Sequence, residues 1–208
     1  MAEDAARLPA ERRTEEITND TYGPLKVACE DDVVARYGKD ATIVRPGIVA
    51  GPYDPSDRFT YWVRRAARGG VVAVPGRVEQ PVQVVDSRDL ARLVTRLLAD
   101  DLPGTYNAVG PRDPVTLGEL VQACAAAAGT AVELVPVEPE LGFPLVLPDA
   151  SWDVMFRRSR AAADAAGMPA TPLETTAADV LAWDRDRGEP PLGVGMSTER
   201  EAELLAVR

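Results

Sequence analysis

Histidine is absent from the 208 residues of the sequence, which excludes any mechanism that uses an imidazole as general base or metal ligand. Cysteine is scarce. Cys29 and Cys124 stand alone in apparent amphipathic helices, without the close cysteine or histidine neighbours that zinc binding or a redox pair requires. We therefore expect two packed thiols in a reducing compartment and no metal site.

Long apolar segments are lacking as well. No run of about 18 apolar residues occurs, and residues 1–20 contain no apolar core of the kind that a signal peptide has. The net charge of -10 argues against binding to nucleic acid or to an anionic membrane, because both require a positive surface. The sequence thus predicts a cytoplasmic protein that acts on a small molecule, without a nucleic-acid or membrane partner.

The chain divides into three parts by composition. Residues 1–20 are polar and charged without a hydrophobic period, which predicts a loop or a frayed tail. Residues 21–188 alternate apolar strands with amphipathic helices, apart from an irregular stretch that begins near Glu138. Residues 189–208 lack a pattern again and are expected to form a flexible tail. The alternation in the middle part predicts βα units and a mostly parallel sheet, so the fold class is α/β.

Two local patterns within the middle part predict particular structures. The run ATIVRPGIVAGP at 41–52 is apolar almost throughout, which is typical of a strand buried on both faces. Thr116 precedes a helical pattern and is followed three residues later by Glu119, which predicts a capping box.

A tyrosine and a lysine stand four residues apart at the start of the first predicted helix, which runs from Tyr22 to about Tyr37. Positions i and i+4 share one helix face, so Tyr22 and Lys26 can bring a phenol and an ammonium group together. A neighbouring cation favours the phenolate and suits a tyrosine to acid–base work near neutral pH. The alternative is a chance pair with a packed ring and a solvated lysine.

The motifs that follow this pair resemble the extended short-chain dehydrogenase/reductase family, which includes the NAD-dependent epimerases and dehydratases. After the Tyr-x-x-x-Lys pattern, four further stretches are similar to family elements in the same order: RPGIVAGP (45–52), PVQVVDSRDLA (81–91), GTYNAVG (104–110) and VTLGEL (115–120). Each motif alone is weak. Their common order over residues 21–188 carries the resemblance.

The resemblance implies a Rossmann-like parallel sheet with a small C-terminal substrate-binding lobe, and NAD or NADP as cofactor. It implies that Tyr22 exchanges a proton with a substrate hydroxyl or carbonyl group, and that Lys26 holds the nicotinamide ribose beside Tyr22. Pro46 and Gly47 would line the nicotinamide pocket. The chemistry is consistent, because hydride transfer creates or consumes an alkoxide whose proton a phenol beside a cation can exchange.

One part of the family pattern has no counterpart in the sequence. The family holds the cofactor pyrophosphate on a glycine-rich loop at a helix N-terminus, but Gly23 is the first glycine here and 21 residues precede Tyr22. The family's serine or threonine upstream of the tyrosine is assigned to no residue. The chain therefore resembles the C-terminal part of such an enzyme, with a partial sheet, and is expected to be truncated and inactive alone.

Two hypotheses of different kinds follow from this comparison. The first is an oxidoreductase or epimerase that self-associates or needs a chain that supplies the missing half. The second is a non-catalytic interaction or ligand-binding module derived from the same fold. Parallel strands without their neighbours would expose an edge that invites a partner.

The expected substrate differs from that of the nucleotide-sugar members of the family. Those members commonly carry an arginine for the diphosphate where this sequence has Gln80 beside Glu79, and a carboxylate would repel phosphate. A less charged substrate is therefore favoured. The alternative is that Arg77 or Arg88 nearby binds a phosphate, although both can also be surface charges or helix-start salt bridges.

Aromatic residues provide the remaining candidates for the site. Phe59, Tyr61 and Trp62 are assigned to substrate binding, because aromatic side chains often line such pockets, with an ordinary core position as the equal alternative. Trp152 and Phe156 are expected in the core.

Overall fold

The computed structural model of the protein describes residues 1–138 and 143–206. Within these ranges the helices are α1 (Tyr22–Tyr37), α2 (Arg58–Ala67), α3 (Ser87–Ala99), α4 (Leu117–Ala128), α5 (Ala161–Ala165), α6 (Leu173–Asp186) and α7 (Thr198–Ala206). The strands are β1 (Thr42–Pro46), β2 (Ile48–Ala50), β3 (Gly70–Pro75), β4 (Pro81–Val82), β5 (Val84–Asp86), β6 (Gly104–Ala108), β7 (Val115–Thr116) and β8 (Val132–Val137). Part of the expected irregular stretch (139–142) and the last two residues of the expected tail lie outside the described residues.

The strands form short pairs. β1 pairs with β6, β2 with β5 and β3 with β8, each in parallel, whereas β4 and β7 are antiparallel. Thr42 lies opposite Gly104 and Pro46 opposite Ala108, so β1 and β6 end at the same level. At least one helix separates the two strands of each parallel pair along the chain, as parallel connections require. The predicted α/β class with a partial, mostly parallel sheet is confirmed.

Two hydrophobic cores support this arrangement. The larger core lies where α2, α4 and α6 pack against one another beside the β3–β8 pair, and Trp62, Leu117 and Leu120 are fully buried in it. The smaller core joins α3 and α5 to β5 and β6, with Leu93 and Met168 buried inside it.

Two helix starts follow directly from the local sequence. Thr116 Oγ1 accepts a hydrogen bond from the Glu119 N–H at 3.1 Å, and Glu119 Oε2 accepts one from the Thr116 N–H at 2.7 Å, so the predicted capping box is confirmed. Asp86 begins α3 by accepting the Arg88 N–H at 2.8 Å. Burial alone would raise the pKa of Asp86, but hydrogen bonds from Arg88 and Thr176 outweigh it and hold the pKa below its usual value.

The apolar run at 41–52 differs from its prediction. It divides into two strands at Gly47, and only Ala41, Ala50 and Gly51 are fully buried, while the residues of β1 are half-buried or exposed. Within the described residues β1 pairs along one edge alone, with β6. A strand buried on both faces needs neighbours on both edges and helices on both faces, and β1 lacks part of that cover.

Residues 1–20 lie along α1 with several specific contacts. Arg7 Nη2 lies 2.8 Å from Asp31 Oδ1, and Arg12 Nη1 lies 2.7 Å from Asp32 Oδ1. The carboxylates come from α1 and the arginines from the segment that precedes it. These contacts hold the segment beside the helix, although it has no regular secondary structure beyond turns.

Residues 189–208 were expected to form a flexible tail, but they contain helix α7. Glu201 on α7 is 5% exposed and pairs with Arg65 of α2. A lone carboxylate in a polar segment carries no sequence signal for burial. Its partner lies 136 residues away, so the contact could not be seen in the local pattern.

The two thiols lie in different environments. Cys124 is buried as expected, whereas Cys29 is exposed, because most of α1 faces away from the cores. In the described part of the chain, no helix has the length and apolarity needed to cross a membrane. The same residues contain no cluster of three or more Cys, Asp and Glu side chains that could hold a metal ion.

Candidate functional site

Tyr22 and Lys26 occupy the first turns of α1, near the end of the β1–β6 pair where both strands finish. A short connection joins α1 to β1, so the helix runs back along the strand. Arg45 Nε donates to Glu30 Oε1 at 2.8 Å and Arg45 Nη2 to Glu30 Oε2 at 2.6 Å, which fixes the helix against the end of β1. Tyr22 lies eight residues before Glu30 on α1, about 12 Å along the axis. The pair therefore lies beyond the carboxyl ends of the strands, where open parallel sheets bind ligands.

Both side chains are open to solvent. Tyr22 is 58% exposed, and Lys26 is also exposed. Neither side chain forms a hydrogen bond or an ion pair within residues 1–138 and 143–206. A phenol and an ammonium group on one helix face are thus available to a ligand, as acid–base exchange requires.

The Arg45–Glu30 ion pair, which lies further along α1, is partly shielded from solvent. A hydrogen bond from Arg45 holds the pKa of Glu30 below its usual value, and the Glu30 side chain is 17% exposed. The pair anchors α1 to β1 and thereby fixes the position of Tyr22.

Pro46 and Gly47 lie at this same end of the sheet. Pro46 is exposed as the last residue of β1. Gly47 donates its N–H to the carbonyl oxygen of Ala108 at 3.0 Å, and a Cβ at Gly47 would lie 3.2 Å from Val109 Cγ1. The glycine is therefore accounted for by strand packing alone, and Pro46 is the more accessible of the two.

The exposed hydroxyl of Tyr22 and ammonium of Lys26 fit the ribose end of NAD(P) but not its pyrophosphate. A pyrophosphate needs free N–H groups at a helix N-terminus. Among the described helices, α3 and α4 begin directly after a strand, and carboxylates of Asp86 and Glu119 already accept hydrogen bonds from N–H groups there. These carboxylates would repel a phosphate. The described residues thus form no pyrophosphate site at either helix.

A separate cleft of about 580 Å³ opens just after β6. Gly110 and Pro111, which follow β6, line it together with Pro81 and Val82 of β4 and residues 156–160. A Cβ at Gly110 would lie 2.6 Å from the carbonyl oxygen of Val84, so only a glycine lets this loop approach β5 so closely. The cleft falls within the size range of small-molecule sites and is mostly apolar in its lining.

Four arginines border this cleft, and three of them have carboxylate partners. Arg160 Nη2 lies 2.9 Å from Asp164 Oδ1, and Arg112 reaches the same oxygen at 3.5 Å. Arg157 Nη2 lies 3.3 Å from Asp153 Oδ2.

Arg158 is different from the other three arginines. It is half-buried, and among the described residues no carboxylate oxygen lies within 4.0 Å of its guanidinium group. The one contact of that group is from Nη1 to Met1 Sδ at 3.4 Å, and a thioether is a weak acceptor.

Gln80 and Glu79, which the resemblance places at an arginine position of the family, lie in different environments. Gln80 is fully buried, where its Nε2 donates to the Leu145 carbonyl at 2.7 Å and its Oε1 accepts the Leu147 N–H at 3.0 Å. It holds the chain of the C-terminal lobe and cannot reach a ligand. Glu79 borders the cleft and is exposed. The local negative charge expected from the sequence therefore faces the cleft.

The three aromatic residues assigned to substrate binding lie in the core. Phe59, Tyr61 and Trp62 are 1%, 4% and 0% exposed. Trp62 Nε1 donates to the Pro144 carbonyl at 2.8 Å, and Phe143 packs edge-on against Tyr61 and Trp62. Burial raises the pKa of Tyr61 to about 12. The structure thus supports the core alternative, because none of the three borders the cleft after β6.

Two other aromatic residues were expected in the core, and they lie in different environments. Trp152 is 47% exposed, so the prediction is wrong for this residue. Phe156 is half-buried and packs against the larger core, as predicted, and it also lines the cleft. Both lie in the 3₁₀ segment Ala150–Phe156. The sequence alone did not indicate Arg158 either, and its only signal was the basic run RRSR at 157–160 in an acidic chain.

Comparison with known families settles the relationship. The sequence model of the NAD dependent epimerase/dehydratase family matches residues 1–109, just over half of the chain, and that part includes Tyr22 and Lys26. The chain belongs to the NAD-dependent epimerase/dehydratase family. The resemblance drawn from the ordered motifs is confirmed. A search of curated proteins finds no match.

Solved structures share the fold of this family member. RMD from Pseudomonas aeruginosa, solved with NADPH, is 18% identical at a TM-score of 0.55, over 86% of this chain and 62% of that chain. UDP-glucose 4-epimerase from Thermus thermophilus, solved with NAD, is 21% identical at 0.53, over 84% and 60%. dTDP-glucose 4,6-dehydratase from Bacillus anthracis, also solved with NAD, is 15% identical at 0.58, over 87% and 59%. These identities show the fold alone, and the chain spans about three fifths of the length of these proteins.

Proposed function

We propose that this chain carries the proton-transfer and substrate-binding part of an NAD(P)-dependent oxidoreductase or epimerase. One observation carries the proposal: α1 presents Tyr22 and Lys26, both exposed, beyond the carboxyl ends of β1 and β6. Membership of the epimerase/dehydratase family supports it. The substrate would be a small molecule with a hydroxyl or carbonyl group.

In the proposed mechanism the residues of α1 handle the proton. When bound, the nicotinamide ring would accept or supply the hydride. The Tyr22 hydroxyl would protonate the substrate oxygen as a carbonyl is reduced, or its phenolate would accept the proton as an alcohol is oxidised. The Lys26 ammonium would stabilise the phenolate form and hold a ribose hydroxyl by hydrogen bonding.

The same proposal places no part of the cofactor pyrophosphate at the starts of α3 and α4. Carboxylates occupy the N-termini of both helices. We infer that another chain, either a second copy or a partner, holds the pyrophosphate in the active enzyme. The isolated chain should then bind the nicotinamide end weakly.

Cofactor binding tests this assignment directly. NADH and NADPH would be titrated into the purified chain while nicotinamide fluorescence is followed. Lys26→Ala should weaken binding by about tenfold or more, because a hydrogen bond from a charged group is lost. The matched control is Lys39→Ala, since these are the two lysines of the sequence and Lys39 lies past the other end of α1. Equal affinity in the two variants would contradict the proposed role of Lys26.

Turnover tests the role of the phenol. Tyr22→Phe should lower kcat by about 100-fold or more, which is the usual contribution of general acid–base catalysis. Tyr37→Phe is the matched control, because Tyr37 lies on the same helix and is 59% exposed, against 58% for Tyr22. A Tyr22→Phe enzyme with full turnover would refute the mechanism.

A second candidate is a non-catalytic interaction module. It is favoured by β1, which pairs along one edge within the described residues, and by α1, in which Ala28 is the one fully buried residue. An open parallel edge beside an uncovered helix is a surface that a partner strand can extend. Sedimentation of the purified chain together with the NADH titration distinguishes the two. Self-association without cofactor binding would favour the interaction module, whereas cofactor binding that Lys26→Ala weakens would favour the catalytic role.

A further inference from the structure

The cleft after β6 is bordered by an arginine whose backbone is held in place. Gln83 Nε2 donates to the Arg158 carbonyl at 2.9 Å, and the Arg158 N–H donates to Gln83 Oε1 at 3.0 Å. This two-way contact joins residues 75 positions apart and locks the backbone of Arg158 beside β5. The guanidinium group itself has no carboxylate partner within the described ranges. A half-buried cation without a counter-ion attracts an anionic ligand.

The charge around Arg158 favours an anionic ligand. The other three arginines share Asp153 and Asp164, and the Met1 ammonium group also borders the cleft. Glu79 borders the same cleft, without an ion pair among the described residues, and it would repel a negative charge placed beside it. Arg158 is therefore the point of the cleft at which a ligand carboxylate can pair.

Apolar side chains line the cleft beside Arg158. Pro81, Val82, Val115 and Phe156 border it. Sites for small molecules are typically lined mostly by apolar side chains together with a few polar groups. A ligand with an apolar body could cover these side chains while its charged end reaches Arg158.

We propose that the substrate of this site is an amphipathic monocarboxylate, whose carboxylate is held by Arg158 and whose aryl or alkyl body lies against Phe156 and Val82. The proposal rests on the proposed function and names its substrate class. It distinguishes this chain from enzymes that bind nucleotide sugars through a diphosphate.

Calorimetric titration tests the proposal without cofactor or turnover. The probes are 4-phenylbutyrate, its neutral amide 4-phenylbutyramide, and UDP. The wild-type chain should bind 4-phenylbutyrate saturably and about tenfold or more tightly than the amide, because the charged hydrogen bond is lost with the carboxylate. Arg158→Gln should abolish that preference for the acid. Arg157→Gln, the matched neighbour that pairs with Asp153, should keep the wild-type affinity within about twofold.

Three results would overturn the proposal. The first is equal affinity of Arg158→Gln and the wild type for 4-phenylbutyrate. The others are tighter binding of UDP than of 4-phenylbutyrate, and no saturation by 4-phenylbutyrate at about 10 mM. If Arg158→Gln fails to fold, Arg158→Lys and the acid-to-amide comparison in the wild type decide instead. This titration needs no turnover, and the Tyr22→Phe turnover test uses no 4-phenylbutyrate. A failed proton-transfer mechanism would therefore leave this result intact, and a failed carboxylate site would leave the Tyr22 result intact.

Discussion

Replacing Glu201 with glutamine should loosen the attachment of helix α7. Arg65 Nε lies 2.7 Å from Glu201 Oε1 and 2.6 Å from Oε2, and the Ala73 N–H donates to Oε1 at 3.0 Å. Both side chains of the ion pair are 6% exposed. Glutamine keeps the shape and an acceptor oxygen but removes the negative charge, so Glu201→Gln leaves the Arg65 cation buried without a counter-ion.

The size of the effect follows from this burial. Removing one partner of a buried ion pair typically costs about 3 to 5 kcal/mol. Arg65 retains hydrogen bonds to the carbonyl oxygens of Gly69 and Val71, which solvate part of its charge and favour the lower end of that range. For a chain of this length, a loss of about 3 kcal/mol should lower Tm by roughly 6 to 12 °C.

Thermal unfolding followed by circular dichroism measures this loss, and hydrogen exchange of residues 198–206 shows whether α7 detaches first. Glu203→Gln is the matched control. Glu203 lies on the same helix, is 67% exposed at its side chain and pairs with Arg200 at 3.2 Å, so its loss should cost less than about 1 kcal/mol. If both variants unfold at the same temperature and exchange alike, the buried pair does not stabilise the fold as argued.

Two further predictions concern buried ionisable groups. Burial alone would raise the pKa of Asp184, but hydrogen bonds from Arg64 at 2.7 Å and Arg187 at 2.8 Å outweigh it and lower the pKa. Because the folded pKa lies below the unfolded value, this carboxylate stabilises the fold above its usual pKa, and the stabilisation is lost as the pH falls through the lowered pKa. Urea unfolding should therefore show the wild type losing more stability on acidification than Asp184→Asn, and parallel pH profiles would contradict the pairing. Cys29 is exposed and should react quickly with a thiol reagent, whereas Cys124, whose pKa is raised by burial, should react only as the chain unfolds. Equal reaction rates, measured by absorbance, would contradict the burial of Cys124.

The elements that could be predicted are those whose signals are local. Thr116 and Glu119 satisfy each other within one helix turn, and α1 begins at Tyr22 with Pro24 in its first turn. The apolar strands gave the α/β class for the same reason, since a run of valines and isoleucines is a local pattern.

The features that could not be predicted depend on contacts with residues that are distant in the sequence. Helix α7 was not predicted because its segment shows no apolar period. Its buried side chain is a carboxylate, Glu201, which pairs with Arg65 on α2. The apolar run around Gly47 was expected to be buried on both faces, but its exposure depends on which strands lie beside β1. The aromatic cluster at Phe59 and the exposed Trp152 show the same limit, because aromatic character does not say which face of the fold a residue occupies.

The Tyr22–Lys26 pair could be predicted from the sequence, whereas the cleft after β6 could not, for a physical reason. Tyr22 and Lys26 could be named from the sequence because their chemistry and their spacing lie within one helix. The cleft draws on β4, the loop after β6 and residues 156–160, and its specificity depends on which arginine lacks a counter-ion. The sequence shows RRSR, but only the positions of Asp153 and Asp164 reveal that Arg158 is the one left without a carboxylate in the described chain. Arginines in a motif therefore predict a ligand only after the carboxylates that neutralise them have been located.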